Sequence, residues 1–124
     1  MDSKQLALLV RGYAENKKAE DLKVLDLREL STVADYMVLC TGTSEPHLRA
    51  IRDEIEEGLR RDHGVRPRAV DGGRESLWVV LDYFDVLVQV MRGDVRGRYD
   101  IEGLWGDAPV VRARKLAKKK AAKA

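Results

Sequence analysis

STVADYMVLCTGTSEPHLRAI, residues Ser31–Ile51, is the stretch whose reading decides the fold. Its middle, Tyr36–Cys40, is apolar at every position, as an interior strand with both faces covered would be. Thr41-Gly42-Thr43-Ser44 then interrupts the apolar run. Ser44 is a candidate N-cap, Glu45 suits the positive end of a helix dipole, and Pro46 is tolerated in a first turn. Leu48, Ile51, Ile55 and Leu59 continue as one stripe at helical spacing, opposite a charged face of Arg52, Glu56 and Arg60. Gly64 follows His63 where a left-handed cap would close the helix. A strand, a turn and a capped helix make an α/β unit.

The regions on either side extend that unit. Upstream, Leu6, Leu9, Val10 and Tyr13 share a helical face, predicting a helix over about residues 3–19, with Asp2 and Gln5 spaced as a capping box. Lys23–Leu27 reads as a strand. Downstream, a short strand near Arg68–Val70 and a turn at Asp71-Gly72-Gly73 precede two β-rich runs, Leu77–Asp82 and Val86–Met91. These predict an antiparallel hairpin, although Tyr83-Phe84 is poor turn chemistry, since neither side chain accepts a positive φ cheaply. A last helix is expected from near Asp94 to about Trp105, weakened by Gly97 and Gly103, with Leu104 and Trp105 pinning it to the core. The fold class is therefore α/β: a small mixed β-sheet of about five strands with helices packed on it.

A chain of 124 residues supports one hydrophobic core. The expected domain is 1–109, followed by a basic Ala/Lys-rich tail at 110–124 too poor in apolar surface to order itself. Residues 112–124 hold seven basic side chains and no acid. Without them the chain carries 16 basic against 21 acidic residues, a net of about −5, so the folded part is acidic. The single cysteine excludes an internal disulfide, and no Cys/His cluster suggests a metal. No apolar run reaches the roughly 18 residues of a membrane span, and the N-terminus lacks the layout of a signal peptide. A cytoplasmic protein without membrane, metal or cofactor is the expectation.

Chemistry-bearing residues are sparse. Gly42-Thr43-Ser44 before a helix is a candidate phosphate cradle. A metal-dependent transferase would also need paired carboxylates on a neighbouring strand, whereas Asp53, Glu54, Glu56 and Glu57 fall on the helix and Asp82 and Asp85 flank a turn. Asp35 is expected to fix its loop through nearby hydroxyls and backbone N–H groups, with Ser31 and Thr32 the closest. Cys40 reads as a small core residue. His47 and His63 have no partner at metal-ligand spacing. Trp78 and Val80 share one face of their strand, opposite Leu77, Val79 and Leu81. If helices cover only one side of the sheet, Trp78 is either core or a binding anchor. Asp82, Tyr83 and Asp85 at the hairpin tip would suit a basic partner. Arg96, Tyr99 and Glu102 share a helix face, where an ion pair is the ordinary reading and Tyr99 could cover the sheet beside Trp78. In the tail, Arg112, Arg114, Lys115, Lys118, Lys119 and Lys120 are candidates for phosphate contact.

Three blocks carry a family resemblance: Ser31, Thr32, Ala34-Asp35-Tyr36, Val38, Thr41-Gly42-Thr43-Ser44 and His47; Gly72 with Trp78–Asp82, Asp85-Val86 and Val90; and Arg96, Tyr99, Ile101-Glu102 and Leu104-Trp105. In order and spacing they resemble the ribosomal silencing factor family, also called Iojap-like. The chain departs from the family pattern at Phe84, where Gly is frequent, and at Gln89, where His is usual. The resemblance implies a fold related to nucleotidyltransferases without catalysis. It implies binding to the large ribosomal subunit through its universal fourteenth protein, which sterically blocks joining of the small subunit and represses translation. Partner-binding residues are then expected at Trp78, Asp82, Tyr83, Asp85 and Tyr99. Ribosomal RNA is a further expected contact through the tail, and a homodimer is expected in the free state. The rival readings are a small nucleotidyltransferase-like enzyme and a basic-tail RNA-binding module.

Overall fold

The computed structural model describes residues 1–72 and 76–111. Helix α1 (Ser3–Asn16) is started by the expected capping box: Asp2 Oδ1 accepts from the Gln5 N–H at 2.8 Å, and Gln5 Oε1 accepts from the Asp2 N–H at 3.0 Å. Such a cap contributes about 1 kcal/mol. The helix stops short of residue 19 because Lys18 turns to a positive φ of 58°, which leads the chain into β1 (Glu20–Asp26). Strand β2 (Tyr36–Gly42) is buried at all seven positions. Helix α2 (Glu45–His63) begins on the Ser44 cap and ends on Gly64 at φ 66°, as expected. Strands β3 (Ala69–Asp71), β4 (Trp78–Asp82) and β5 (Val86–Arg92) follow. The last helical stretch is broken into α3 (Gly93–Tyr99) and α4 (Ile101–Leu104) by Asp100, whose φ is 46°.

The sheet has six strands, one more than expected, in the order β3-β4-β5-β2-β1-β6. The sixth strand, β6 (Val110–Val111), pairs with Leu25 and Val24 of β1, so the sheet runs past the boundary expected at Pro109. Two apolar residues before a lysine-rich run are too short a signal to read as a strand. Strands β2 and β5 pair in parallel, Val38 beside Val88, and the remaining neighbours are antiparallel. The all-apolar β2 therefore occupies an interior position, as its composition demanded.

One face of the sheet is covered by α1 and α2. Val10 of α1 and Ile51, Ile55 and Leu59 of α2 pack with Val38, Cys40, Val88 and Val90, all fully buried. Truncating a buried isoleucine such as Ile55 to alanine would cost about 2–5 kcal/mol. Two glycines set how closely the helices approach. A Cβ on Gly42 would lie 2.7 Å from Leu48 Cδ2, and one on Gly58 would lie 2.4 Å from Tyr13 Cε1. Gly42 thus serves helix packing.

Candidate protein-binding surface

The second face of the sheet is only partly covered. Met37, Leu39 and Met91 are buried there beneath the chain that runs from α3 to Ala108, with Val95 and Trp105 packed against them. Trp105 thus meets the core as expected. Leu104 does not: it is 73% exposed, a correction to the sequence reading. Toward β4 the cover thins, and Trp78, Val80 and Leu87 are half-buried. Register puts the three on this face, since Trp78 lies opposite Met91, Val80 opposite Gln89 and Leu87 opposite Asp82.

Trp78 is held from two sides. Its indole N–H donates to Oε1 of buried Gln89 at 2.8 Å, and Gln89 Nε2 contacts Met37 Sδ at 3.4 Å. The Tyr99 ring tilts against it, with centroids 5.0 Å apart and planes at 41°. Trp78 is therefore only partly core: one edge is packed inside, and the rest forms an aromatic surface with Tyr99, itself 52% exposed. Offset pairs of this kind add about 0.5–1.5 kcal/mol beyond area burial.

Arg96 fixes the helix that carries Tyr99. It is buried, and its guanidinium bonds Glu102 Oε1 at 2.9 Å, the Asp21 carbonyl at 2.7 Å and Thr41 Oγ1 at 2.8 Å. An Arg96–Glu102 ion pair is present, but it bridges the break between α3 and α4 instead of lying within one helix as expected. Lys23 meets the same carboxylate from β1. These two cations hold the Glu102 carboxyl below its ordinary range, Lys23 having the larger effect.

The hairpin tip differs from the expectation. Tyr83 is 3% exposed and packs into the α1–α2 core, where burial raises the pKa of its phenol. The residue offered to solvent is Phe84, 57% exposed at φ 69°. The turn tolerates this backbone because Asp82 Oδ1 accepts the Phe84 N–H at 2.8 Å. Asp82 also pairs with Arg68 at 2.8 Å, and that partner keeps its carboxyl below the usual range. Asp82 is therefore committed within the fold, whereas Asp85 is exposed. The Asp85 carbonyl accepts from the N–H groups of Asp35 and Tyr36, tying the tip to the loop before β2. Asp35 itself accepts from Ser3 Oγ at 2.9 Å, so it anchors the start of α1 rather than hydroxyls of its own loop.

In the turn before α2 two backbone donors are taken up by side chains. The Thr43 N–H donates to His47 Nδ1 at 2.9 Å and the His47 N–H to Ser44 Oγ at 3.3 Å. With Nδ1 accepting, the ring proton is assigned to Nε2, which reaches the Lys17 carbonyl at 2.7 Å. His47 thus couples the end of α1 to the start of α2, a role that spacing alone did not reveal. Neighbouring acids are engaged as well: Glu45 with Arg49, and Glu56 with Arg52. Among the described residues no group of three or more His, Cys, Asp or Glu is placed to hold a metal ion. No helix among them is long and apolar enough to cross a membrane. Arg112, Arg114, Lys115, Lys118, Lys119 and Lys120 lie outside the described residues.

Fold and surface together define a small mixed α/β protein with a half-covered aromatic sheet face. The profile of a family described as "Ribosomal silencing factor during starvation" matches residues 1–124, and the chain belongs to that family. It is 36% identical over 110 residues to the ribosomal silencing factor of Bacillus subtilis, covering 89% of this chain and 92% of that protein. It is 34% identical to the ribosomal silencing factor of Halalkalibacterium halodurans, over 90% and 94% of the two chains. A crystal structure of a Chromobacterium violaceum protein superposes with a TM-score of 0.80 at 34% identity, over 86% of this chain and 88% of that one. The relatives carry the name of a regulatory factor, not of an enzyme.

Proposed function

We propose that this chain binds the large ribosomal subunit through its universal fourteenth protein and, by occupying the face that meets the small subunit, blocks subunit joining and represses translation in the cytoplasm. The observation that carries the reading is the Trp78–Tyr99 pair on an incompletely covered sheet face. Tyrosine and tryptophan dominate binding energy when a partner desolvates them. Asp85 at the tip adds negative charge that favours a basic ribosomal protein. The mechanism is steric and needs no catalysis. Ribosomal RNA is a second contact, through the basic residues beyond Val111, and the half-covered face pairs with a second copy when no ribosome is present.

Cosedimentation of the purified protein with isolated large and small subunits tests this. Binding is expected to the large subunit alone, with reduced subunit joining. Binding to neither, or only to the small subunit, would refute the proposal. Trp78→Ala should weaken large-subunit binding at least tenfold while the far-UV circular dichroism stays native.

A further inference from the structure

Phe84 is the point at which the fold works against itself. A phenylalanine held at φ 69° is strained whatever surrounds it, and glycine would sit there freely. Burial does not repay the strain, because Phe84 is 57% exposed. Among the described residues its ring partner is the Arg68 guanidinium, 4.7 Å above the centroid. Stacking of that kind at an exposed site contributes little.

Two more apolar side chains are exposed at the same end of the sheet. Val33 is 73% and Leu30 46% exposed, both in the loop before β2. That loop is locked to the tip by the Asp35 and Tyr36 N–H groups, at 2.7 and 3.1 Å from the Asp85 carbonyl. The loop that bears Leu30 and Val33 is therefore joined by main-chain bonds to the tip that bears Phe84. The two segments, 26–35 and 82–85, carry the carboxylates of Asp26, Glu29, Asp35, Asp82 and Asp85 against the single guanidinium of Arg28; Arg68 brings a second from outside.

We infer that Phe84, with Val33 and Leu30, forms a second docking point, separate from the Trp78–Tyr99 pair, that inserts into an apolar recess on a basic protein surface. The inference rests on the reading of this chain as a large-subunit ligand, and the partner surface belongs to that subunit. Protein rather than RNA is the occupant, because a net-acidic rim repels a phosphate backbone and attracts lysine and arginine. Strain in the free protein is then offset only in the complex, where the ring is desolvated.

The test uses Phe84→Gly and Phe84→Asn in the full chain, two residues that accept positive φ. Both variants should melt at or above the wild-type temperature yet bind isolated large subunits about tenfold more weakly. Binding within twofold of wild type, beside a wild type that binds, would overturn this inference and leave the proposed function standing. Weaker binding accompanied by a lower melting temperature would also overturn it, since Phe84 would then be a structural residue. Failure of the wild-type chain to bind large subunits would remove both readings. A photo-crosslinker placed at position 84 should label a basic protein of the subunit; a crosslink to RNA would contradict the choice of partner.

Discussion

The Tyr13 ring lies against Gly58, and its hydroxyl reaches both the Gly58 carbonyl at 3.1 Å and Asp62 Oδ2 at 2.7 Å. This contact joins α1 to α2 at a glycine in the middle of a helix, where alanine would ordinarily be preferred by about 1 kcal/mol. Here a Cβ would stand 2.4 Å from the ring. Overpacking of this kind costs about 1–3 kcal/mol. Gly58→Ala is therefore expected to be destabilising by about 1 kcal/mol net, read as a lower urea midpoint with an unchanged slope. A raised midpoint would mean that the ring moves aside freely.

The same contact gives the protein two pH limits. Arg61 and then Tyr13 bond the Asp62 carboxyl and hold its pKa at about 2, below its ordinary 3.8. Arg92 does the same for Asp94, also to about 2. Carboxyls with lowered folded-state pKa values contribute stability that is present above about pH 4 and is lost as pH falls toward 2. Asp62→Asn should flatten that acid limb in a series of thermal melts. Burial, followed by the Asp62 bond, raises the Tyr13 phenol to about 12. That contribution is present below pH 10 and is lost between about 10 and 12. Tyr13→Phe should reduce the alkaline loss, to which the buried Tyr36, Tyr83 and Cys40 also contribute, and an unchanged alkaline limb would exclude this assignment.

Cys40 is fully buried, and burial pushes its thiol up to about 12. A thiol of that kind is inert until exposed. Labelling by an aromatic disulfide reagent should be negligible in the native protein and should follow global unfolding as urea is added. Fast labelling in buffer would show that β2 opens locally.

Gln89 supplies the acceptor that Trp78 needs inside the sheet. Gln89→Met keeps the volume but leaves the indole N–H unpaired, at a cost of about 1–3 kcal/mol. The indole N–H resonance of Trp78 should shift, and large-subunit binding should fall. Gln89→His, whose ring nitrogen can accept, should recover part of both. An unmoved resonance in the Met variant would show that the bond is not formed in solution.

Much of the fold was legible because its signals are local. The Asp2–Gln5 box, the Ser44 cap and Gly64 each act within four residues of the helix end they define. The apolar run of β2 announced an interior strand. The features that sequence did not reveal depend on partners far along the chain. Gly58 answers to Tyr13, 45 residues away, and Asp35 answers to Ser3, 32 residues away. At the hairpin tip, the choice between Tyr83 and Phe84 turned on one backbone angle. Alternation can say that two aromatics face opposite ways, but it cannot say which one enters the core once a turn intervenes. On the candidate surface, the proximity of Tyr99 to Trp78 was foreseen. The internal commitment of Asp82 to Arg68 was not, because Arg68 lies 14 residues upstream on the neighbouring strand side.

The parallel pairing of β2 with β5 also has a consequence for how the chain is made. Val38 waits for Val88, fifty positions later. Until Arg92 has been synthesised, the seven buried residues of β2 have no partner on that flank and present an open apolar ribbon. Such long-range closure slows folding and exposes the nascent chain to misassociation. Its central sheet can be completed only after translation has passed the last β5 codon, so a product cut short before that point would be aggregation-prone rather than partially active.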